Sequence, residues 1–209
     1  MLLDSVAEQL AELRKKNGEP HQLRVLGMDP SFRNWGYAVG TYDVESGELH
    51  IDRLQLISTS PTKSKSVRAS SDDLRSAVVL HGALETVLEH YDPLVVFSEV
   101  PAGAQSATAA KGLGIAVGVM ASCKKPLVQV TPNEVKLALT GNKKATKREM
   151  IEAAYRRYPD AQGWRTREEG GAVVPVNEME HLADAVGAIH AGIATPQFNE
   201  ILAVVKGMS

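Results

Sequence analysis

The stretch VLGMDPSFRNWGYAV, residues 25–39, sets one carboxylate, Asp29, between two apolar runs with a proline directly after it. A short apolar run bounded by a turn reads as a buried strand, and Leu23 to Met28 has that form. Trp35 to Tyr42 and Leu49 to Ile57 read as two further strands, joined by a turn over Asp43 to Gly47, so three strands in hairpin order begin the domain. A carboxylate at the mouth of the first strand is either a turn cap before Pro30 or the start of a site. Ser31 to Asn34 form a turn to which the sequence assigns no chemistry.

Working outward, residues 3–16 carry Leu3, Val6, Leu10 and Leu13 at helical spacing, ended by Asn17-Gly18 and Pro20. After a polar loop over residues 58–70 with Lys63, Lys65 and Arg68, a helix is expected from about residue 72 to His90. Ser70 or Ser71 would cap it, and Leu74, Ala77, Val78, His81, Leu84 and Leu88 would form its apolar stripe. LVVFSE, ending on Glu99, reads as a buried strand, followed by a small-residue helix around 106–122 and the strand PLVQVT. Thr131-Pro132-Asn133-Glu134 and Thr146-Lys147-Arg148-Glu149 are capping boxes, and Gly141 sits where the first of these helices stops. Residues 159–178 read as a long loop with a Gly170-Gly171 pair, and helices are expected over roughly 178–194 and 197–206. Antiparallel strands followed by alternating helices and strands imply an α/β fold with a mixed sheet.

Composition narrows the function classes. The chain has 209 residues, 44% hydrophobic and 23% charged, enough for one sizeable core, and its net charge of -2 gives no global attraction to a polyanion. Any nucleic-acid site must be a local concentration of charge. The single cysteine, Cys123, excludes an intramolecular disulfide and a cysteine-based zinc cluster and is expected to be a buried thiol. Asp4, Glu8 and Glu12 argue against a secretory or organellar leader, and no apolar run is long enough for a membrane span. The expectation is a cytoplasmic protein, in a nucleoid or host cytoplasm, and not a secreted one.

Asp29, Glu99 and Asp184, the last within EMEHLADAVGAIHAG, are acids set in apolar sequence. An unpaired buried carboxylate costs several kcal/mol or is neutralised, so a shared divalent cation is an economical partner for all three. His181 precedes Asp184 by three positions and shares its helical face. Each acid alone also fits an ordinary role: Asp29 as a turn cap, Glu99 paired with a lysine, Asp184 in solvent. The densest basic cluster, GNKKATKREM, places Lys143, Lys144, Lys147 and Arg148 at a helix start, where cations oppose the macrodipole unless an anion is present. A solvated charged corner is the plain alternative.

Taken in order, GMDPSFRNWGYAV, FSEV, KGLGIAVG, VTPNEVKLALTG, KREMI and HLADAVGAIH resemble RuvC-type Holliday junction resolvases over about residues 23–192. The resemblance implies a ribonuclease H-like mixed β-sheet flanked by helices, spanning residues 23–195. The helical appendage of residues 1–22 and the C-terminal helix of 196–209 are additions. It implies that Asp29, Glu99, His181 and Asp184 bind two Mg2+ ions, with Mn2+ a substitute, and that Lys136 and Lys147 act at the scissile phosphate. It further implies a homodimer that nicks opposed strands of branched DNA, four-way junctions above all. Lys143, Lys144, Lys147 and Arg148 are expected DNA contacts, with Lys63, Lys65, Arg68 and Lys111 weaker ones; Trp164, flanked by Arg165 and close to Arg167, either stacks on or clamps unpaired nucleotides or packs on the domain surface.

Two departures from the family pattern stand out: the aromatic residue often found three positions after the second acid is here Ala102, and the 159–178 loop is longer. Glu180 competes as a metal ligand or completes a capping box from Asn177. The small-residue seam of Ala110, Gly114 and Gly118, with Gly112 beside it, permits close approach to the sheet or to a second subunit. Other readings are a broader debranching nuclease acting on flaps and forks, a catalytically silent junction-binding protein, and an actin-like sugar kinase or ATPase. The last lacks a glycine-rich phosphate loop and the length for two lobes.

Overall fold

The computed structural model describes residues 2–17, 21–62, 66, 68–100, 103 and 106–207. Its elements are α1 (Leu2–Asn17), β1 (Gln22–Asp29), β2 (Asn34–Asp43), β3 (Leu49–Ser58), α2 (Ala69–Tyr91), β4 (Val95–Glu99), α3 (Ala107–Ala121), β5 (Leu127–Val130), α4 (Pro132–Thr140), α5 (Lys147–Arg157), β6 (Thr166–Glu169), β7 (Ala172–Pro175), a 3-10 turn (Asn177–Met179), α6 (Glu180–Ile193) and α7 (Pro196–Val205). The main sheet has the order β3-β2-β1-β4-β5. β1, β2 and β3 pair antiparallel, whereas β4 pairs parallel with both β1 and β5.

Because side chains alternate along a strand, the sheet serves two cores. Leu26, Met28, Trp35, Tyr37, Val39 and Val96 point toward α2 and α3, meeting Leu80, Leu84, Val87, Ala116 and Val119. Val25, Ala38, Val95, Phe97, Val128 and Val130 point the other way, into a larger core shared with α4, α5, α6, α7 and α1. Val6 and Leu10 of α1 are buried there, and Arg14 donates to the Val205 carbonyl of α7 at 3.0 Å. Both expected capping boxes form, and Gly141 closes α4 in the left-handed region with φ 79.

Helix α2 starts earlier than expected, at Ala69 with Arg68 in the capping position, and neither Ser70 nor Ser71 caps it. It is also rotated relative to the expected stripe: Leu74 and Val78 are 67% and 63% exposed, while Asp72, Ser76, Leu80, Leu84, Val87 and Leu88 face inward. Polar partners explain the rotation. Asp72 accepts from the backbone N–H of Thr62 at 3.0 Å and its hydroxyl at 2.7 Å, and Arg33 donates to Ser76 at 3.3 Å. The expected long loop over 159–178 contains the β6–β7 hairpin, turned by Gly170 and Gly171, both with positive φ as a tight hairpin turn requires.

The seam on α3 does not meet the sheet, since a Cβ on Gly114 or Gly118 would touch nothing within 4 Å; only Gly112 packs inward, against Phe32. Cys123 is half-buried rather than buried, because it follows the last turn of α3 at the edge of the core. The expected stop of α1 at Gly18 and Pro20 lies outside the described residues. Among the described residues, no helix is long and apolar enough to cross a membrane.

Candidate active site

Strands β1 and β4 are in parallel register with Met28 beside Ser98, so Asp29 and Glu99, the last residue of each strand, leave the sheet as neighbours on one face. Helix α6 crosses that face at backbone contact. A Cβ on Gly27 would lie 2.1 Å from the Ala185 carbonyl oxygen, and one on Gly36 would lie 2.0 Å from that of His181. With no side chain between helix and sheet, His181 Nδ1 comes to 2.6 Å from Asp29 Oδ2. A carboxylate only accepts, so Nδ1 carries the proton. Asp184 projects from the same face of α6 and is half-buried.

These groups sense one another strongly. Burial, and then the charges of Asp29 and Asp184, push Glu99 up to about 8, against the smaller pull of Lys136 and His181. Burial and the charge of Asp29 likewise hold Asp184 at about 7. For His181, burial favours the neutral ring, but the Asp29 hydrogen bond and the charges of Asp29, Glu180 and Asp184 outweigh it and leave the imidazole above its ordinary value. A partly dry site with too many negative charges is stabilised by a cation. Among the described residues no lysine forms the ion pair with Glu99 that the plain reading expects, and Asp184 is half-buried, not in open solvent.

The lysines are near but differently engaged. Lys136, half-buried on α4, acts electrostatically on both Glu99 and Asp184. Lys147, the first residue of α5, pairs with Glu180 at 2.6 Å. Glu180 does not complete a capping box from Asn177: the 3-10 turn puts Met179 at the helix start with no side-chain cap, and the carboxylate turns instead to Lys147 and, at 3.5 Å, to His181 Nε2.

Lys143 and Lys144 are exposed in the turn between α4 and α5, and Arg165 is exposed before β6. Arg148 pairs with Glu152 at 2.7 Å, and Lys111 pairs with Asp73 at 2.5 Å. Trp164 is half-buried and packs on the domain. Its Nε1 donates to the Tyr158 carbonyl at 2.8 Å and its ring makes an edge contact with Tyr155 against the core. Lys63, Lys65 and Ala102 lie outside the described residues, and Arg68 is the first residue before α2.

A cleft of about 590 Å³ opens beside Asp29, walled by Phe32, Arg33, Asp73, Lys111 and Gly112. The Arg33 guanidinium stands 4.3 Å over the Phe32 ring. Sequence reading assigned nothing to Phe32 or Arg33; an aromatic and a cation directly after a strand-end carboxylate were the available signal. A second cleft, of about 330 Å³ between α4 and α5, holds none of the four clustered groups.

The family model described as crossover junction endodeoxyribonuclease RuvC matches residues 25–155. A crossover junction endodeoxyribonuclease RuvC from Thermomicrobium roseum is 38% identical over 135 residues, 62% of this chain and 76% of the relative. Among solved structures, Thermus thermophilus RuvC in complex with a Holliday junction substrate superposes with a TM-score of 0.58 at 19% identity, covering 81% of this chain and 92% of that one. The yeast mitochondrial Holliday junction resolvase superposes with a TM-score of 0.56 at 14% identity, covering 98% and 94%. At such identities these two likenesses speak to the fold, a mixed five-stranded sheet flanked by helices. The family match ends before His181 and Asp184, whose place beside Asp29 and Glu99 rests on the geometry above.

Proposed function

The chain belongs to the RuvC family of crossover junction endodeoxyribonucleases, and on that premise we propose that it resolves four-way DNA junctions by paired nicks on opposing strands, using Asp29, Glu99, His181 and Asp184 at two magnesium ions. Divalent-metal dependence is general in this family of nucleases; the number of ions, their identity and manganese as a substitute are part of the proposal. The observation that carries it is the pair of half-buried carboxylates, Glu99 and Asp184, held well above the ordinary carboxylate range by burial and like charge.

The donor set fits a hard dication. It offers carboxylate oxygens and one imidazole, the ligands that magnesium and manganese accept, in surroundings where a cation relieves repulsion. Among the described residues, no three such side chains enclose a common cation position as they stand. His181 faces carboxylates at both ring nitrogens, so it must release one of them to turn toward a metal. Bound ions would activate the attacking water and stabilise the leaving phosphate oxygen.

The chain's own residues do the rest. Asp29 orients the His181 ring, the strand ends hold Asp29 and Glu99 rigidly, and Lys136 with Lys147 faces the scissile phosphate, stabilising charge that develops there. Lys111, Lys143, Lys144, Arg148 and Arg165 serve as backbone contacts that position the DNA without reading bases. A second copy of the chain would give the two-fold symmetry that paired cuts need. Exposed Leu74, Val78 and Val79 on α2 and the open seam of α3, on the same helical layer, support a homodimer. Residues 23–195 form the nuclease domain in this reading, with 1–22 and 196–209 as additions, and the location is cytoplasmic.

The test is cleavage of an immobile four-way junction, with flaps and forks in parallel, by wild type and Asp29→Asn. Magnesium-dependent paired nicking of the junction by wild type, lost in Asp29→Asn with binding retained, is the expected result. Equal cutting by both proteins refutes the metal site, and preference for flaps over junctions refutes the substrate.

A further inference from the structure

We propose that Glu180 is a positioning residue that holds the Lys147 ammonium over the acid cluster, ready to receive the scissile phosphate. The inference rests on the nuclease reading and deepens it, since no role for Glu180 follows from that reading alone.

Lys147 begins α5, where the helix dipole repels a cation, and its long side chain is 79% exposed, so a specific partner is needed to fix its direction. Glu180 supplies that partner. It begins α6, where the dipole favours a carboxylate, and its Oε2 lies 2.6 Å from Lys147 Nζ. So the two helix starts that flank the site are joined by one ion pair. The charges of Asp184 and Asp29 also reach Lys147, so the pair fixes the ammonium at the solvent edge of the site, on the side of the acids. Together, Lys147, Glu180, His181 and Asp29 form a row in which basic and acidic side chains alternate across the site.

An exposed ion pair contributes little to folding stability, so its use must be sought in geometry. A cation already in place over the acids spares the phosphate the cost of ordering it. The carboxylate that places it also repels the phosphate slightly. Removing Glu180 therefore separates rate from affinity: the chemical step slows, while binding does not weaken.

The experiment compares wild type with Glu180→Ala, Glu180→Gln, Lys147→Ala and the Glu180→Ala/Lys147→Ala double variant in single-turnover junction cleavage and in junction binding with EDTA. Acetylation of Lys147 by acetic anhydride, read by peptide mass spectrometry in EDTA, follows the pair directly. Expected are slower acetylation of Lys147 than of Lys143 and Lys144 in wild type, and faster Lys147 acetylation in Glu180→Ala. Cleavage should fall about 10-fold in that variant with unchanged or tighter binding and unchanged thermal stability. Glu180→Gln, which still offers an amide oxygen to the ammonium, should lose less. In the Lys147→Ala background, Glu180→Ala should add less than about 2-fold. Equal acetylation of the three lysines in wild type, or a full Glu180→Ala effect without Lys147, overturns the proposal. A wild type that cuts no junction refutes the nuclease reading instead, while acetylation still decides the pairing.

Discussion

His181 Nδ1 lies 2.6 Å from Asp29 Oδ2, a hydrogen bond that joins residues 152 positions apart. It ties the end of the first strand to the start of the sixth helix, and the neighbouring acids make the site's charge state a property of the whole fold.

Stability should therefore depend on pH in a particular direction. Glu99 and Asp184 sit at about 8 and about 7 in the folded chain, against ordinary values of 4.5 and 3.8. Between those limits these two groups bind more protons in the folded chain than in the unfolded one, so their contribution to stability falls as pH rises; His190, which burial lowers to about 4, opposes this with a smaller shift. His181, also raised, adds stability below its ordinary value of 6.5 and loses it as pH climbs through its folded value. In EDTA the melting temperature should be lower at about pH 8 than at about pH 5, by about 3 °C or more. Magnesium binds the ionised groups, so it should raise the melting temperature more at the higher pH. A melting temperature in EDTA that rises with pH over this range contradicts the burial of these acids.

Two glycines set the distance from sheet to helix. Gly36→Ala and Gly27→Ala each place a methyl group about 2 Å from a carbonyl oxygen of α6. Both should lose stability in urea titration by about 1–3 kcal/mol or more. Only Gly36→Ala meets the backbone of His181 itself, so it should lose more cleavage than Gly27→Ala at a temperature where both remain folded. Equal activities would detach His181 from catalysis.

Lys143 and Lys144 stand exposed in the turn before α5. Replacing both with alanine should reduce the slope of log binding constant against log salt by about 2, equally for junction and plain duplex. An unchanged slope removes that turn from the DNA interface.

Trp164 gives the opposite expectation. Trp164→Ala should cost on the order of 2–4 kcal/mol of stability through lost packing against Tyr155 and the core. Junction affinity, measured below the melting transition, should stay within about 2-fold. A selective loss of affinity restores the nucleotide-clamp role that its packing argues against.

The sheet was readable from sequence because its strands are apolar or mixed apolar and polar segments closed by turn residues, and both capping boxes form where Thr131 and Thr146 announce them. The face of α2 was not. Its residues offer two apolar stripes, and the choice is made by Thr62 and Arg33, polar partners from distant segments that fix Asp72 and Ser76 inward. The β6–β7 hairpin announced its Gly170-Gly171 turn, but TREE has little strand character to suggest pairing. For the site, single acids were ambiguous, and family order pointed to the set that the fold brings together. Phe32 and Arg33 were passed over because a turn residue shows its neighbours only after folding.

The parallel register of β1 and β4 has a further consequence. Asp29 and Glu99 share a face because each lies one residue beyond the Met28–Ser98 pair, and a slip of one residue would turn one of them to the opposite side of the sheet. Chemistry here hangs on odd and even. A single residue inserted in either strand would exchange a carboxylate for a core methionine or serine at the site, a harsher change than most substitutions. Lengths between the turns are thus as much a part of the active site as the acids are.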